Sequence, residues 1–247
     1  MNISTATSKV SCMDCPLRNL DMFRAFEPAE LAFVDTFKRG ELAVDRAAAI
    51  LEEGSSSAHF YTVLAGWAFR YKTLEDGRRQ ILNYALPGDL IGLQAGLMGA
   101  MDHSIEALTP MRLCVFERGR MEKLYHNHPG LAFDVTWLAS REEQFLDENL
   151  LSVGRRTAIE RTAYLIVFLH ARSMALDLPT GSILPITQQH VADTMGFSIV
   201  HTNKTLRKLA LANHIEWMDG GCRVLNAPAL ARIAKWKGLV EKKRPLI

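Results

Sequence analysis

Val200, His201, Asn203 and Lys204 place a branched apolar group, an imidazole, a carboxamide and an ammonium within little more than one helical turn. Groups of these kinds read base edges in a DNA major groove: amides pair with adenine, cations with guanine, and apolar groups touch the thymine methyl. Arg207 follows one turn later. Together with Thr187, Gln188 and Arg223 it suits contacts to the sugar–phosphate backbone, which position a protein without specifying sequence. Ser198 completes the set of candidate DNA-facing residues.

These side chains need a rigid mount, and the flanking residues spell one out. Thr187 is a good N-cap for a first helix, and Val191 and Ala192 give that helix an apolar face. Gly196 falls where a sharp turn requires positive φ. Ser198 then caps a second helix that Leu206 and Leu209 anchor from below, with Ile199 to Lys204 expected as a solvent-facing first turn. The pattern reads as a helix-turn-helix near 198–209 in a major groove. The competing interpretation is two packed helices joined by a glycine turn.

Charge separates the two. The chain has 247 residues and a net charge of +2. Residues 155–247 hold 14 Lys and Arg against 6 Asp and Glu, whereas residues 1–154 hold 15 against 21. A basic half behind an acidic one points to a polyanion, where cations gain affinity by releasing counterions. Enzymatic readings find little support, since no GxSxG, HExxH or phosphate-binding loop is present. His126 and His128 lack a third ligand for zinc.

The length suits two domains. No apolar run reaches the roughly 18 residues of a membrane span, and Met1 to Lys9 lacks an apolar signal core. No membrane association and a cytoplasmic location are therefore expected, and the first ten or so residues look mobile. A helix is expected at 28–37. Short β-prone runs follow at 60–64, 67–71, 80–84 and 111–116, separated by Gly54, Gly66, Asp76-Gly77 and Pro87-Gly88-Asp89. Such spacing suggests a β-barrel or sandwich. A long helix is expected from Pro129 to Val153, with an apolar stripe (Leu131, Val135, Leu138, Phe145, Leu146, Leu150, Leu151) wide enough to pack a second copy. Glu142 and Glu143 are expected to face water, and Gly154-Arg155-Arg156 to form a hinge. A helix at 158–175, a turn-rich connection at 178–183, a hairpin wing around Asp219-Gly220-Gly221, a last helix at 228–239 and a basic tail, Lys242-Lys243-Arg244, complete the pattern.

Tyr61-Thr62-Val63-Leu64-Ala65-Gly66, Asp76-Gly77-Arg78-Arg79-Gln80-Ile81, Leu86-Pro87-Gly88-Asp89-Leu90-Ile91-Gly92 and the helix-turn-helix resemble the Crp/Fnr family of bacterial transcription regulators over nearly the whole chain. The resemblance implies an α+β fold. It would comprise a Cys-containing segment (1–26), a cyclic-nucleotide-binding-like β-roll (27–120), a dimerisation helix (121–154) and a winged helix-turn-helix (155–247). It also implies a homodimer on a near-palindromic double-stranded DNA operator, in contact with RNA polymerase. The recognition helix resembles a proteobacterial subgroup in which Val200 and Lys204 replace the usual Glu and Arg.

Two cofactor questions come with the resemblance. The effector pocket would involve Gly88, Asp89, Leu93, His103 and Ser104. Leu93 cannot accept a hydrogen bond from a ribose hydroxyl, and His103 lacks the planar charged fork that suits a phosphate. Cyclic AMP (cAMP) is therefore not expected. Protonated His103 could bind another anion, or it could be a partly exposed loop histidine. In the oxygen-sensing branch, four cysteines hold a 4Fe–4S iron-sulfur cluster. The corresponding positions here are Cys12, Cys15, Asp21 and Cys114, so a cluster would be labile. The alternatives are a Cys12–Cys15 disulfide, a metal site, or a buried Cys114 with Cys12 and Cys15 unpaired in a mobile tail. Cys222, in the wing, has no expected role. A redox-sensing regulator and a protein-docking module without DNA remain the alternative functions at this stage.

Overall fold

The computed structural model describes residues 5–6, 10–178, 183–239 and 243–247. The expected mobile start falls largely on residues 1–4 and 7–9, which lie outside the described residues, as does Lys242. The chain divides into two units: 1–72 with 84–143 and 242–247, and 73–83 with 144–241.

The β-roll falls in the first unit except for residues 73–83, which belong to the second. Its elements in chain order are β1 (Thr5–Ala6), α1 (Pro28–Phe37), β2 (Lys38–Val44), β3 (Ala49–Leu51), β4 (His59–Ala65), β5 (Ala68–Thr73), β6 (Arg79–Ala85), β7 (Leu90–Ile91), α2 (Leu93–Met98), β8 (Ser104–Ala107), β9 (Met111–Glu117) and α3 (Met121–Asn127). One sheet runs β1-β2-β9-β4-β7 and the other β3-β8-β5-β6. Val63 and Leu113 face each other across β4 and β9 and are fully buried with Ile105, Ala68 and Met101. A second core gathers Leu31, Val34, Phe37, Phe60, Phe116, Leu131 and Val135. The ring centroids of Phe37, Phe60 and Phe116 lie 5.3 to 5.8 Å apart, a spacing at which aromatic pairs attract beyond simple burial.

β2 has no apolar run to announce it. Its buried Lys38 and Glu41 are paired at 2.8 Å, and Arg112 on β9 reaches Glu41 at 2.9 Å. Buried charges persist only when partnered in this way.

The long helix α4 spans Pro129–Arg155, with Pro129 opening it as prolines do at first helical positions. It is separate from α3 at His128, and Gly154 continues the helix, so the turn falls at Arg156–Thr157. Leu131, Val135, Leu138 and Phe145 are buried. Phe133, Leu150, Leu151 and Val153 are exposed. Glu142 does not face water: it forms an ion pair with Arg70.

The second unit continues with α5 (Ala158–Ala175), β10 (Ile183–Leu184), α6 (Gln188–Met195), α7 (Ile199–Leu211), β11 (Ile215–Met218), β12 (Gly221–Val224) and α8 (Ala227–Ala234). Thr157 and Glu160 cap α5 reciprocally. The connection expected at 178–183 ends in a strand, because Ile183 and Leu184 pair with β12 to make a sheet ordered β10-β12-β11; residues 179–182 lie outside the described residues. The order of roll, long helix and winged helix-turn-helix is the expected α+β architecture. No helix among the described residues is long and apolar enough to cross a membrane.

Candidate nucleic-acid interface

The helix-turn-helix assembles from local signals. Thr187 Oγ1 accepts from the His190 amide at 3.2 Å, and His190 Nδ1 accepts from the Thr187 amide at 3.1 Å, closing a reciprocal cap on α6. Gly196 adopts φ +66° at the turn, and Ser198 Oγ caps α7 through the His201 amide at 3.3 Å. Val191, Ala192 and Met195 from α6 and Leu206 and Leu209 from α7 are buried.

The opposite face of α7 is exposed: Val200 (74%), His201, Asn203, Lys204, Arg207 and Lys208. Thr202 is buried, so the first turn is not uniformly solvent-facing, as helical periodicity requires. The His201 ring stacks on Phe197 with centroids 4.6 Å apart. Arg161 covers Phe197 at 4.1 Å and donates to the carbonyls of Met195 and Val153, both at 3.1 Å. That stack fixes the loop presenting α7. Sequence reasoning missed it because Arg161 lies 36 positions before Phe197.

The remaining expected contacts sit around this face. Thr187 is exposed and Gln188 half-buried at the start of α6. Arg223 on the wing is paired with Glu216 across the hairpin at 2.9 Å. The 73–83 hairpin braces α6 within the same unit. Arg79 pairs with Asp193 at 2.9 Å, and Gln80 Nε2 donates to the Thr194 carbonyl at 2.9 Å. Arg79 and Gln80 stood in a motif quoted for the family resemblance, but nothing local signalled this role.

The effector-pocket positions are engaged internally. Arg70 Nε donates to His103 Nε2 at 3.0 Å while its Nη1 meets Glu142. Ser104 Oγ accepts from the Glu53 amide, and Leu93 packs against the apolar core. Asp89 receives Arg141 and Arg244. His103 is 5% exposed, which corrects the expectation of a partly exposed loop histidine. Burial, reinforced by the Arg70 charge, pulls it down to about 3 from an ordinary 6.5.

An unfolded chain therefore protonates His103 below about pH 6.5 while the folded one does not, and stability falls as pH drops through that window. From pH 6.5 to 5 this group alone is expected to remove about 2 kcal/mol. Urea unfolding of the parent and of His103→Gln checks it: the variant should lose that part of the slope, and an unchanged slope would refute the assignment.

The cysteines are not in a mobile tail. The Cys12 amide donates to Asp35 Oδ1 at 2.6 Å, and Arg18 holds the Cys12 and Met13 carbonyls. Cys12 and Cys114 are both buried in the apolar core, which pushes their thiols up to about 11 and about 12. Thiolates are the ligand form, and this environment disfavours them. Asp21 is exposed. Among the described residues no group of three or more His, Cys, Asp or Glu is arranged to hold a metal. The residues do not fit an iron-sulfur cluster. Cys222 is buried in the wing, with its thiol raised to about 12 by burial.

Residues 41–128 match the cyclic nucleotide-binding domain family and residues 160–233 the Crp-like helix-turn-helix domain family. The transcriptional activatory protein AadR of Rhodopseudomonas palustris is 32% identical over 179 residues, 72% of this chain and 74% of AadR. The nitrogen fixation regulation protein FixK of Bradyrhizobium diazoefficiens is 29% identical over 224 residues, 90% of this chain and 93% of FixK. The solved structure of FixK2 from Bradyrhizobium japonicum shares the fold, with a TM-score of 0.69 at 23% identity, covering 78% of this chain and 96% of FixK2. With both domains matched in order and a relative of this similarity, the chain belongs to the Crp/Fnr family of DNA-binding transcription regulators.

Proposed function

We propose that this regulator binds a near-palindromic operator as a homodimer in the cytoplasm, engages RNA polymerase there, and does so without cAMP or an iron-sulfur cluster. The observation that carries the reading is the exposed face of α7, where Val200, His201, Asn203, Lys204 and Arg207 stand clear of the buried anchors Leu206 and Leu209. In this reading Asn203 and Lys204 touch base edges, Val200 a thymine methyl, and Thr187, Gln188, Ser198, Arg207 and Arg223 the backbone. Arg223 must exchange Glu216 for phosphate to do so. The exposed Phe133, Leu150 and Leu151 on α4 support pairing with a second copy, since apolar side chains exposed along one helix are otherwise a solubility liability.

The ligand side of the proposal rests on the roll interior. His103, which the family resemblance aligns with a phosphate-binding position, accepts from an Arg70 already paired with Glu142, and Leu93 offers no acceptor for a ribose; both support the reading. Selection from random duplexes is expected to return two half-sites about one helical turn apart, differing from the usual family half-site. Calorimetry with cAMP is expected to show no heat of binding, and anaerobically purified protein to be colourless. A single unpaired site, a cAMP isotherm, or a visible absorption band with stoichiometric iron would each overturn the corresponding part.

A further inference from the structure

Residues 243–247 follow the winged unit in sequence but pack within the roll unit. Arg244, expected as part of a basic tail, is 3% exposed. Its Nη1 donates to Asp89 Oδ1 at 2.7 Å and its Nη2 to the Pro87 carbonyl at 2.6 Å. The guanidinium lies 4.6 Å from the Phe23 ring centroid. The Arg244 amide donates to the Met22 carbonyl at 2.8 Å, and the Arg24 amide to the Arg244 carbonyl at 2.9 Å. Beyond it, Leu246 and Ile247 are buried, Ile247 in the core with Phe37 and Phe60. The Ile247 carbonyl accepts from Thr62 Oγ1.

We propose that the roll carries a receptor site for an arginine-led apolar peptide, and that residues 243–247 are its ligand, held in cis and able to detach. The chemistry selects arginine. A carboxylate, a carbonyl and an aromatic face are met by one planar guanidinium, whereas an ammonium has neither the fork nor the flat face. The receptor is shaped for close approach. Gly88 sits at φ +83°, and a Cβ there would collide with the Phe23 ring and come within 2.6 Å of Arg244 Nη2. Asp89, 9% exposed, is the anchor, and its Oδ1 also receives Arg141 from α4 at 3.3 Å. When Arg244 leaves, Asp89 retains Arg141, so the site empties without stranding a buried carboxylate.

Detachability follows from topology. The segment adds one isolated parallel bridge, Phe23 with Arg244, and no strand to either sheet. Residues 236–239, which lead towards it, are neither helix nor strand, and Gly238 adopts φ +98°. The β4–β9 pairing and the Phe37–Phe60–Phe116 ring contacts do not run through it, so its detachment uncovers the apolar face that Ile247 fills and breaks neither.

The test has two arms. A chain lacking residues 243–247 is titrated with the labelled peptide Lys-Arg-Pro-Leu-Ile and with the same peptide carrying Lys for Arg. Saturable binding, at least tenfold weaker for the lysine peptide, is expected. No binding by the folded truncated chain, or equal binding of both peptides, overturns the proposal. Should the truncated chain fail to fold, hydrogen exchange on the full chain decides. The Arg24 and Arg244 amides are expected to exchange at least tenfold slower than in a free peptide, yet faster than the β4–β9 amides. Free-peptide rates would refute docking, and rates matching β4–β9 would refute detachment. In Arg244→Lys, both amides should lose protection together while β4–β9 keeps its own.

Discussion

Replacing Asn203 and Lys204 together by alanine is expected to weaken binding to the selected operator about 100-fold or more and to flatten its base preference. Both side chains are exposed on α7, between buried Thr202 and Thr205, so neither supports the helix. The melting temperature should move little, because surface substitutions away from structural features stay within about 0.5 kcal/mol. A well-formed bidentate base contact contributes about 1–3 kcal/mol of discrimination, and two such contacts account for the expected loss. The companion substitutions Arg207→Ala and Lys208→Ala should behave differently. If these cations meet phosphates, each lowers the slope of log affinity against log salt by about 0.9 while the preferred sequence is kept. Fluorescence anisotropy at several salt concentrations, with operator and scrambled duplexes, separates the two patterns. If the Asn203/Lys204 double variant kept its preference for the operator over the scrambled duplex, α7 would not be the reading helix.

What the sequence revealed of this interface was local, and what it concealed was distant. Thr187, Gly196 and Ser198 announce the helix-turn-helix because a cap or a left-handed turn is decided within four residues. The anchors Leu206 and Leu209 are legible for the same reason, whereas Thr202, expected to face solvent, is buried because it falls on their side of the helix. β2 was invisible because Lys38 and Glu41 look like solvent-facing residues until their mutual pairing and Arg112 are known. Glu142 and His103 were misplaced for a similar reason. Arg70, 72 positions before Glu142 and 33 before His103, joins them through one guanidinium, and no spacing rule reaches that far. The charge count also credited Arg244 to a DNA-facing surface, although a buried carboxylate already holds it. Composition counts charges but does not say which of them are neutralised inside. The cysteines show the converse limit. Spacing matched three ligand positions, yet Cys12 and Cys114 lie in an apolar core that keeps thiols protonated.

The wing offers the sharpest single-residue consequence for stability. Gly221→Ala is expected to lower the melting temperature of the DNA-binding unit by more than about 10 °C and to reduce operator affinity with it. Gly221 sits at φ +145°, and a Cβ there would run into the Leu184 carbonyl, with Pro185 Cα only 3.2 Å away. Both obstacles are backbone, so no side chain can swing aside. The collision falls where β10 pairs with β12, one residue from the Leu184–Cys222 pair. Relief requires β10 to leave the sheet, exposing Leu184, Cys222 and Val224, which are buried now. Strained φ costs about 1–3 kcal/mol and overpacking a similar amount, so a loss of about 3–5 kcal/mol is expected. At roughly 4–8 °C per kcal/mol for a unit of about 100 residues, the fall in melting temperature follows. Two neighbouring tests distinguish the collision from glycine chemistry in general. Gly220, at φ +90° with nothing within 4 Å, should lose only the backbone part, about 1 kcal/mol, on substitution by alanine. Gly154 lies inside α4 without positive φ and with open space around it, so Gly154→Ala should stabilise by about 0.5–1 kcal/mol. Calorimetric melts that ranked Gly221→Ala level with Gly220→Ala would show that β10 yields without cost and would refute the collision as the source of the loss.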